Sequence, residues 1–153
     1  MFNQLIPINN NKYQALNIVI VEPSCFNRAF LANAIASTRS YHQIMAVDKI
    51  EEVFSLMYEE VAIDIIIFDI NAGLNLNDLS IIKAISQDTA FIHWSNCQHP
   101  EIIELLHSLE VNSFCLKDSN PDSWISAIDC IATNPNILYV DERLNYCLPL
   151  LAG

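Results

Sequence analysis

Five short apolar runs alternate along this chain with stretches of helical periodicity, and that alternation limits the fold more than any other feature. The runs are LNIVIVE (16–22), YHQIMAVD (41–48), IDIIIFD (63–69), TAFIHWS (89–95) and NSFCLK (112–117). Apolar runs of this length, rich in isoleucine and valine and bounded by turn residues, read as strands buried on both faces, as in parallel sheets. Between them, SCFNRAFLANAIAST (24–38) carries Phe26, Phe30, Leu31, Ala34 and Ile35 at helical spacing, with Pro23 just before it. KIEEVFSLMYEE (49–60) sets Ile50, Val53, Phe54 and Met57 on one face. LNDLSIIKAIS (76–86), PEIIELLHSLE opening on Pro100, and PDSWISAIDCIA starting at Pro121 complete the series.

Neighbouring parallel strands need a crossover, and a helix is the usual one, so the pattern predicts a parallel sheet wrapped on both faces. The expected architecture is an α/β three-layer sandwich of five βα units, flavodoxin-like, with a five-stranded sheet in the order 2-1-3-4-5. Residues 16–135 form that domain, with an extension over 1–15. The tail NILYVDERLNYCLPLLAG (136–153) reads as an extra extended segment and a short helix, an extension or the start of a linker.

Composition removes several function classes. The chain has 153 residues, 52% hydrophobic and 16% charged, which suits one domain with a real core. Its net charge of -11, from 18 acids against 7 Lys and Arg, argues against a nucleic-acid surface, which needs clustered cations. No apolar run approaches the roughly 20 residues that span a bilayer, and MFNQLIPINNNKYQ lacks the order of a signal peptide, so a cytoplasmic location is expected. Cys25, Cys97, Cys115, Cys130 and Cys147 form no CxxC pair, which suggests neither a zinc site nor a disulfide framework but buried or incidental thiols. His42, His93, His99 and His107 show no metal spacing and read as surface or core residues. Trp94 alternates with His93, so one of the two should face a covering helix.

Polar residues at the strand ends make a set: Glu22 after the first strand, Asp69 after the third, Ser95 after the fourth and Lys117 after the fifth. In open α/β sheets this edge is the ligand crevice, and the first and third strands flank its switch point. Together the residues suit phosphoryl transfer to a carboxylate. Asp69 would be the nucleophile, a divalent cation would neutralise phosphate oxygens, and Lys117 and Ser95 would supply an ammonium and a hydroxyl.

On these residues the chain resembles the CheY-like receiver domains of two-component response regulators, over about residues 16–135. The resemblance implies a phosphoacceptor at Asp69 in IIIFDIN, a switch hydroxyl at Ser95 in IHWSN, the site lysine at Lys117 in FCLKD, and the aromatic switch residue at Phe114. The segment from Val111 to Leu144 resembles the NarL/FixJ subfamily, whose members usually carry a DNA-binding helix-turn-helix after the receiver. It further implies a histidine kinase as partner and a homodimer through the first and fifth helices. Both helices are poor in charge, with Arg28 alone in 24–38 and Asp122 and Asp129 in 121–132. Part of that excess is small residues such as Ala32, Ala36 and Ala127, which suit close packing on the sheet.

The departures are as informative. Receivers normally show two acids after the first strand, and here the pair is Glu22-Pro23. Metal ligation would therefore rest on Glu22, Asp69 and the backbone carbonyl of Asn71, a weak Mg²⁺ set. The usual Met-Pro after the acceptor is Ala72-Gly73, and the usual glycine eight positions on is Asn77, which tolerates a left-handed turn. An atypical receiver that acts through dimerisation or partner binding, without being an enzyme, is the main expectation. A conventional switch, in which Phe114 repacks inward on phosphorylation, is the alternative. A small phosphatase of the haloacid dehalogenase type would need a second acid where Asn71 stands, and a flavodoxin would need a phosphate loop after the first strand.

Overall fold

The computed structural model describes residues 14–152. Expectations on residues 1–13, including the absence of a signal peptide, lie outside the described residues. Five strand–helix units follow in order: β1 (Asn17–Val21), α1 (Cys25–Thr38), β2 (Gln43–Val47), α2 (Ile50–Tyr58), β3 (Ile65–Phe68), α3 (Leu76–Ile85), β4 (Ala90–Ser95), α4 (Pro100–Ser108), β5 (Ser113–Leu116) and α5 (Pro121–Thr133). Each strand is the apolar centre of a run read from the sequence. Helix starts are set by local chemistry: Ser24 caps α1 through Asn27 N–H, Asn75 and Asp78 form a reciprocal capping box on α3, and Asn120 caps α5.

The named strands all pair in parallel, and their order is β2-β1-β3-β4-β5-β6. Among the described residues the sheet therefore has six strands where five were expected, the sixth lying in the tail that read as an extra extended segment. The added β6 (Tyr139–Val140) aligns with Ser113 and Phe114 of β5, then a 3-10 helix (Glu142–Cys147) and α6 (Leu148–Leu151) turn back over the domain. A two-residue strand is too short to show any periodicity, and only its place beside β5 makes it one.

Side-chain alternation divides the core into two layers. Val19, Val21, Ile66, Phe68, Phe91, Phe114 and Leu116 meet α2, α3 and α4 on one face, and Leu144, Cys147 and Leu151 of the tail join them. Ile18, Ile20, Ile65, Ile67, Ile92 and Trp94 meet α1 and α5 on the other. His93 and Trp94 are thus both covered, one on each face.

The apolar stripe of α1 is narrower than its spacing suggested. Leu31 and Ile35 are fully buried, whereas Phe26 is 73% and Phe30 47% exposed. The sheet meets α1 along the Leu31–Ile35 line, and the two phenylalanines lie to one side of it. Asn77 is not a turn residue either: it sits in the first turn of α3. The left-handed non-glycine positions are Glu60 and Glu110, which end α2 and α4, and Gly73 has φ +88. Among the described residues no helix is long and apolar enough to cross a membrane. All five cysteines are free, with Cys25 exposed and Cys97, Cys115 and Cys147 buried.

Candidate functional site

The C-terminal ends of β1, β3, β4 and β5 converge because the sheet is parallel, so the residue ending each strand reaches one crevice. Its volume is about 790 Å³, and Asp69, Asn71, Ser95 and Lys117 are among its lining residues. A second cavity of about 430 Å³ opens at the opposite edge, between Asp64, Lys83, Thr89 and Ser113, away from Glu22 and Asp69.

Lys117 is the hub of the site. Its Nζ donates to Asp69 Oδ2 at 2.9 Å. It also forms an ion pair with Glu22 Oε1 at 2.8 Å. Asp69 and Glu22 are buried, at 6% and 3% exposure, so neither charge would be tolerable without the cation. Burial by itself would raise the Asp69 carboxyl. Hydrogen bonds from Lys117, from Asn71 N–H at 2.9 Å and from the Ser95 hydroxyl, with the ammonium charge, bring it below its usual value instead. Burial would likewise lower Lys117, but Glu22 and Asp69 hold it above its ordinary value. Asp69 is therefore an anion at neutral pH, with one oxygen on the lysine and the other on a backbone amide.

The remaining groups are placed by the backbone. Ser95 is 1% exposed, and its Oγ also accepts from Cys97 N–H at 3.1 Å. Glu22 Oε2 accepts from Ser24 N–H at 3.0 Å, which ties the first loop to the start of α1. Arg28 Nη1 donates to the Glu22 carbonyl at 2.7 Å and adds a second cation beside that loop. Lys117 Nζ also stands 5.1 Å from the centre of the Trp94 ring, a cation–π contact. Phe114 is 1% exposed and packs edge-on to His93. The ring is fixed inside the core. β6 and the tail explain this: Phe114 pairs with Val140, its carbonyl accepts from Asp141 N–H, and Leu144 packs in the same cluster.

His93 is the site residue that sequence reasoning placed only in the general core. Its Nε2 accepts from Ile70 N–H at 3.2 Å and lies 3.9 Å from Asp69 Oδ1. A nitrogen that accepts carries no proton, so the ring is neutral; burial lowers its pKa to about 4. The available signal was strand register: His93 pairs with Phe68, the residue before Asp69.

The donor set does not fit a firmly held Mg²⁺. Mg²⁺ requires near-octahedral oxygen ligation, and here two carboxylates share one ammonium while each also accepts a backbone N–H. Pro23 occupies the neighbouring position and supplies no side-chain oxygen. Its ring packs on the loop that follows Asp69, against Gly73. Among the described residues no group of three His, Cys, Asp or Glu gathers as a metal site.

No protein-family profile matches the chain, and no curated protein does. Solved structures do. The isolated REC domain of RcsB from Salmonella enterica serovar Typhimurium, solved with phosphomimetic BeF₃⁻, aligns with a TM-score of 0.78 at 11% identity, over 88% of this chain and 99% of that one. The chain has the receiver fold. A LuxR family DNA-binding response regulator from Silicibacter pomeroyi aligns at TM-score 0.71 and 16% identity, over 84% of this chain and 98% of that one. The chemotaxis response regulator CheY4 of Vibrio cholerae aligns at 0.66 and 12%, over 77% and 99%.

Proposed function

We propose that the chain is an atypical receiver module of the response-regulator type, of NarL/FixJ character, in which Asp69 is a phosphoacceptor with impaired metal assistance. The observation that carries this reading is the Lys117 ammonium between Asp69 and Glu22, with the Ser95 hydroxyl beside Asp69, at the carboxyl edge of a receiver-type sheet. In phosphotransfer an Asp69 carboxylate oxygen attacks phosphorus, the Asp–O–P bond forms, and the bond to the donor breaks with its electrons leaving on the donor. Lys117 then turns to the phosphoryl oxygens, and Ser95 offers its hydroxyl. The two-carboxylate donor set leaves most of the charge neutralisation to the lysine, so the step should be slow.

Signalling then depends on partner binding or on a homodimer through α1 and α5, without direct nucleic-acid contact by this acidic chain. A histidine kinase or a small acyl phosphate is the class of donor. Incubation with acetyl phosphate and Mg²⁺, followed by intact mass, tests the reading. Slow, partial addition of one phosphoryl group, absent in Asp69→Asn, is the expected result. Rapid, complete addition would favour a conventional switch, and no addition in either wild type or Pro23→Asp would remove Asp69 as an acceptor.

A further inference from the structure

A third cavity, of about 480 Å³, lies between the loop after β5 and the start of the tail, and it shares no lining residue with the crevice of Asp69 and Lys117. Asp141 is among its lining residues and is only 3% exposed. Its Oδ1 accepts from Arg143 N–H at 2.9 Å and so caps the 3-10 helix, whereas its Oδ2 is buried without a hydrogen-bond partner. A carboxylate oxygen withdrawn from water with no donor facing it is costly, and the cost is relieved by whatever supplies an N–H or a cation. The guanidinium of Arg143 does not serve. It forks onto Asp118 instead, with Nη1–Oδ1 at 2.9 Å and Nη2–Oδ2 at 3.3 Å.

The chemistry around the orphan oxygen selects the ligand. Asp118, Asp141 and Glu142 face the single cation Arg143 in the lining, so the cavity favours cations and repels anions. A metal ion is a poor fit, because among the described residues no group of three His, Cys, Asp or Glu gathers as a metal site. An organic cation fits on three counts. Its N–H groups donate to a carboxylate oxygen, Tyr139 brings an aromatic ring to the same lining, and the volume falls in the range of small-molecule pockets, roughly 300–1,000 Å³. We propose that this cavity binds a small organic cation, an amine or guanidine, whose N–H groups complete the hydrogen bonding of Asp141 Oδ2.

Calorimetric titration of the full chain with agmatine, which carries an ammonium at one end and a guanidinium at the other, tests the site. At an ionic strength of about 0.15 M, diffuse attraction to an acidic surface is largely screened. Wild type should bind with one-to-one stoichiometry, and agmatine should raise its thermal unfolding midpoint. Asp141→Asn keeps an acceptor for Arg143 N–H but removes the charge, and should weaken binding by about tenfold or more, as for loss of a charge-assisted hydrogen bond. Glu142→Lys, at an exposed position, places a like charge at the cavity and should weaken binding comparably without touching the core. Asp69→Asn should leave the affinity unchanged. No binding by wild type, or binding that neither Asp141→Asn nor Glu142→Lys weakens, overturns the site. A loss in Asp69→Asn equal to that in Asp141→Asn also overturns it, by placing the cation at the acid crevice.

Discussion

Pro23 lies against Gly73 so closely that a Cβ on the glycine would come within 3.2 Å of Pro23 Cγ. The contact shows how the loop beyond Asp69 has been refitted: a proline ring fills the space beside Glu22, and the facing residue is a glycine at φ +88, where a side chain is strained. Replacing the ring with a carboxylate should restore a hard-cation ligand. Pro23→Asp is therefore expected to raise Mg²⁺ affinity by about tenfold or more, on the argument that Mg²⁺ is held mainly by carboxylate oxygens. Titration followed by tryptophan emission reads this, since Trp94 adjoins Lys117. Equal affinities in wild type and variant would show that the missing acid is not what limits the metal.

Lys117 is the one cation that two buried carboxylates share in direct contact. Lys117→Met should destabilise the chain at neutral pH by about 3–5 kcal/mol, the usual cost of removing one partner from a buried ion cluster. The loss should shrink as the pH falls and Asp69 becomes protonated, because a neutral carboxyl needs no cation. Urea unfolding of wild type and variant at neutral and acid pH gives both quantities. A deficit that does not change with pH would place the lysine's contribution in packing on Trp94 instead.

His93 makes stability depend on pH in a predictable direction. Its folded pKa, about 4, lies below the ordinary 6.5, so the unfolded chain takes up a proton that the folded chain refuses. Stability is then highest above 6.5 and is lost as the pH falls from 6.5 toward 4, by about 3 kcal/mol in all. The depressed carboxyl of Asp69 acts in the same sense at lower pH: its contribution is present above the ordinary carboxylate value and is lost below it. His93→Gln keeps an acceptor for Ile70 N–H but cannot titrate. Its unfolding free energy should be flat relative to wild type between pH 6.5 and 4, and parallel curves would assign the acid sensitivity elsewhere.

How much of this was legible depended on whether the information was local. Ile65 to Phe68 announce a strand buried on both faces because the run is apolar without interruption, and the position of Asp69 follows from where that run stops. Once a parallel sheet is inferred, the meeting of Glu22, Asp69, Ser95 and Lys117 follows from topology, and the structure brings them into contact. Spacing places Phe26 and Phe30 on a helix, as found, but does not tell how far each is covered. Periodicity reports which residues share a side of a helix, whereas the line along which the sheet meets α1 depends on the neighbouring α5. His93 escaped notice because its part depends on cross-strand register with Phe68, which no spacing within β4 reveals. The tail read as an extended segment, but its pairing beside β5 as a sixth strand depends on a contact with Ser113 and Phe114 that no local pattern reveals.

That last strand begins the segment on which Phe114 depends. Val140 pairs beside Phe114, Arg143 reaches Asp118 at 2.9 Å in the loop after Lys117, and Tyr146 donates its hydroxyl proton to the Gln98 carbonyl in the loop after Ser95. The tail thus touches both loops that flank the acid site, but its exposed polar contacts contribute little: the Arg143–Asp118 pair is open to water. What fixes the segment is the burial of Leu144 and Leu151 with Cys147 in the core layer that holds Phe114. Leu144→Ala removes a side chain of 1% exposure from that layer and should cost about 2–5 kcal/mol, as for other buried leucines. Arg143→Ala, which breaks only a solvent-exposed pair, should leave stability almost unchanged. Amide hydrogen exchange adds the decisive comparison. In Leu144→Ala, protection should fall first in β6 and at the amides around Phe114, with β1 and β3 least affected. A uniform loss across all strands would mean that the tail is not a separate unit resting on Phe114 but part of the global folding core.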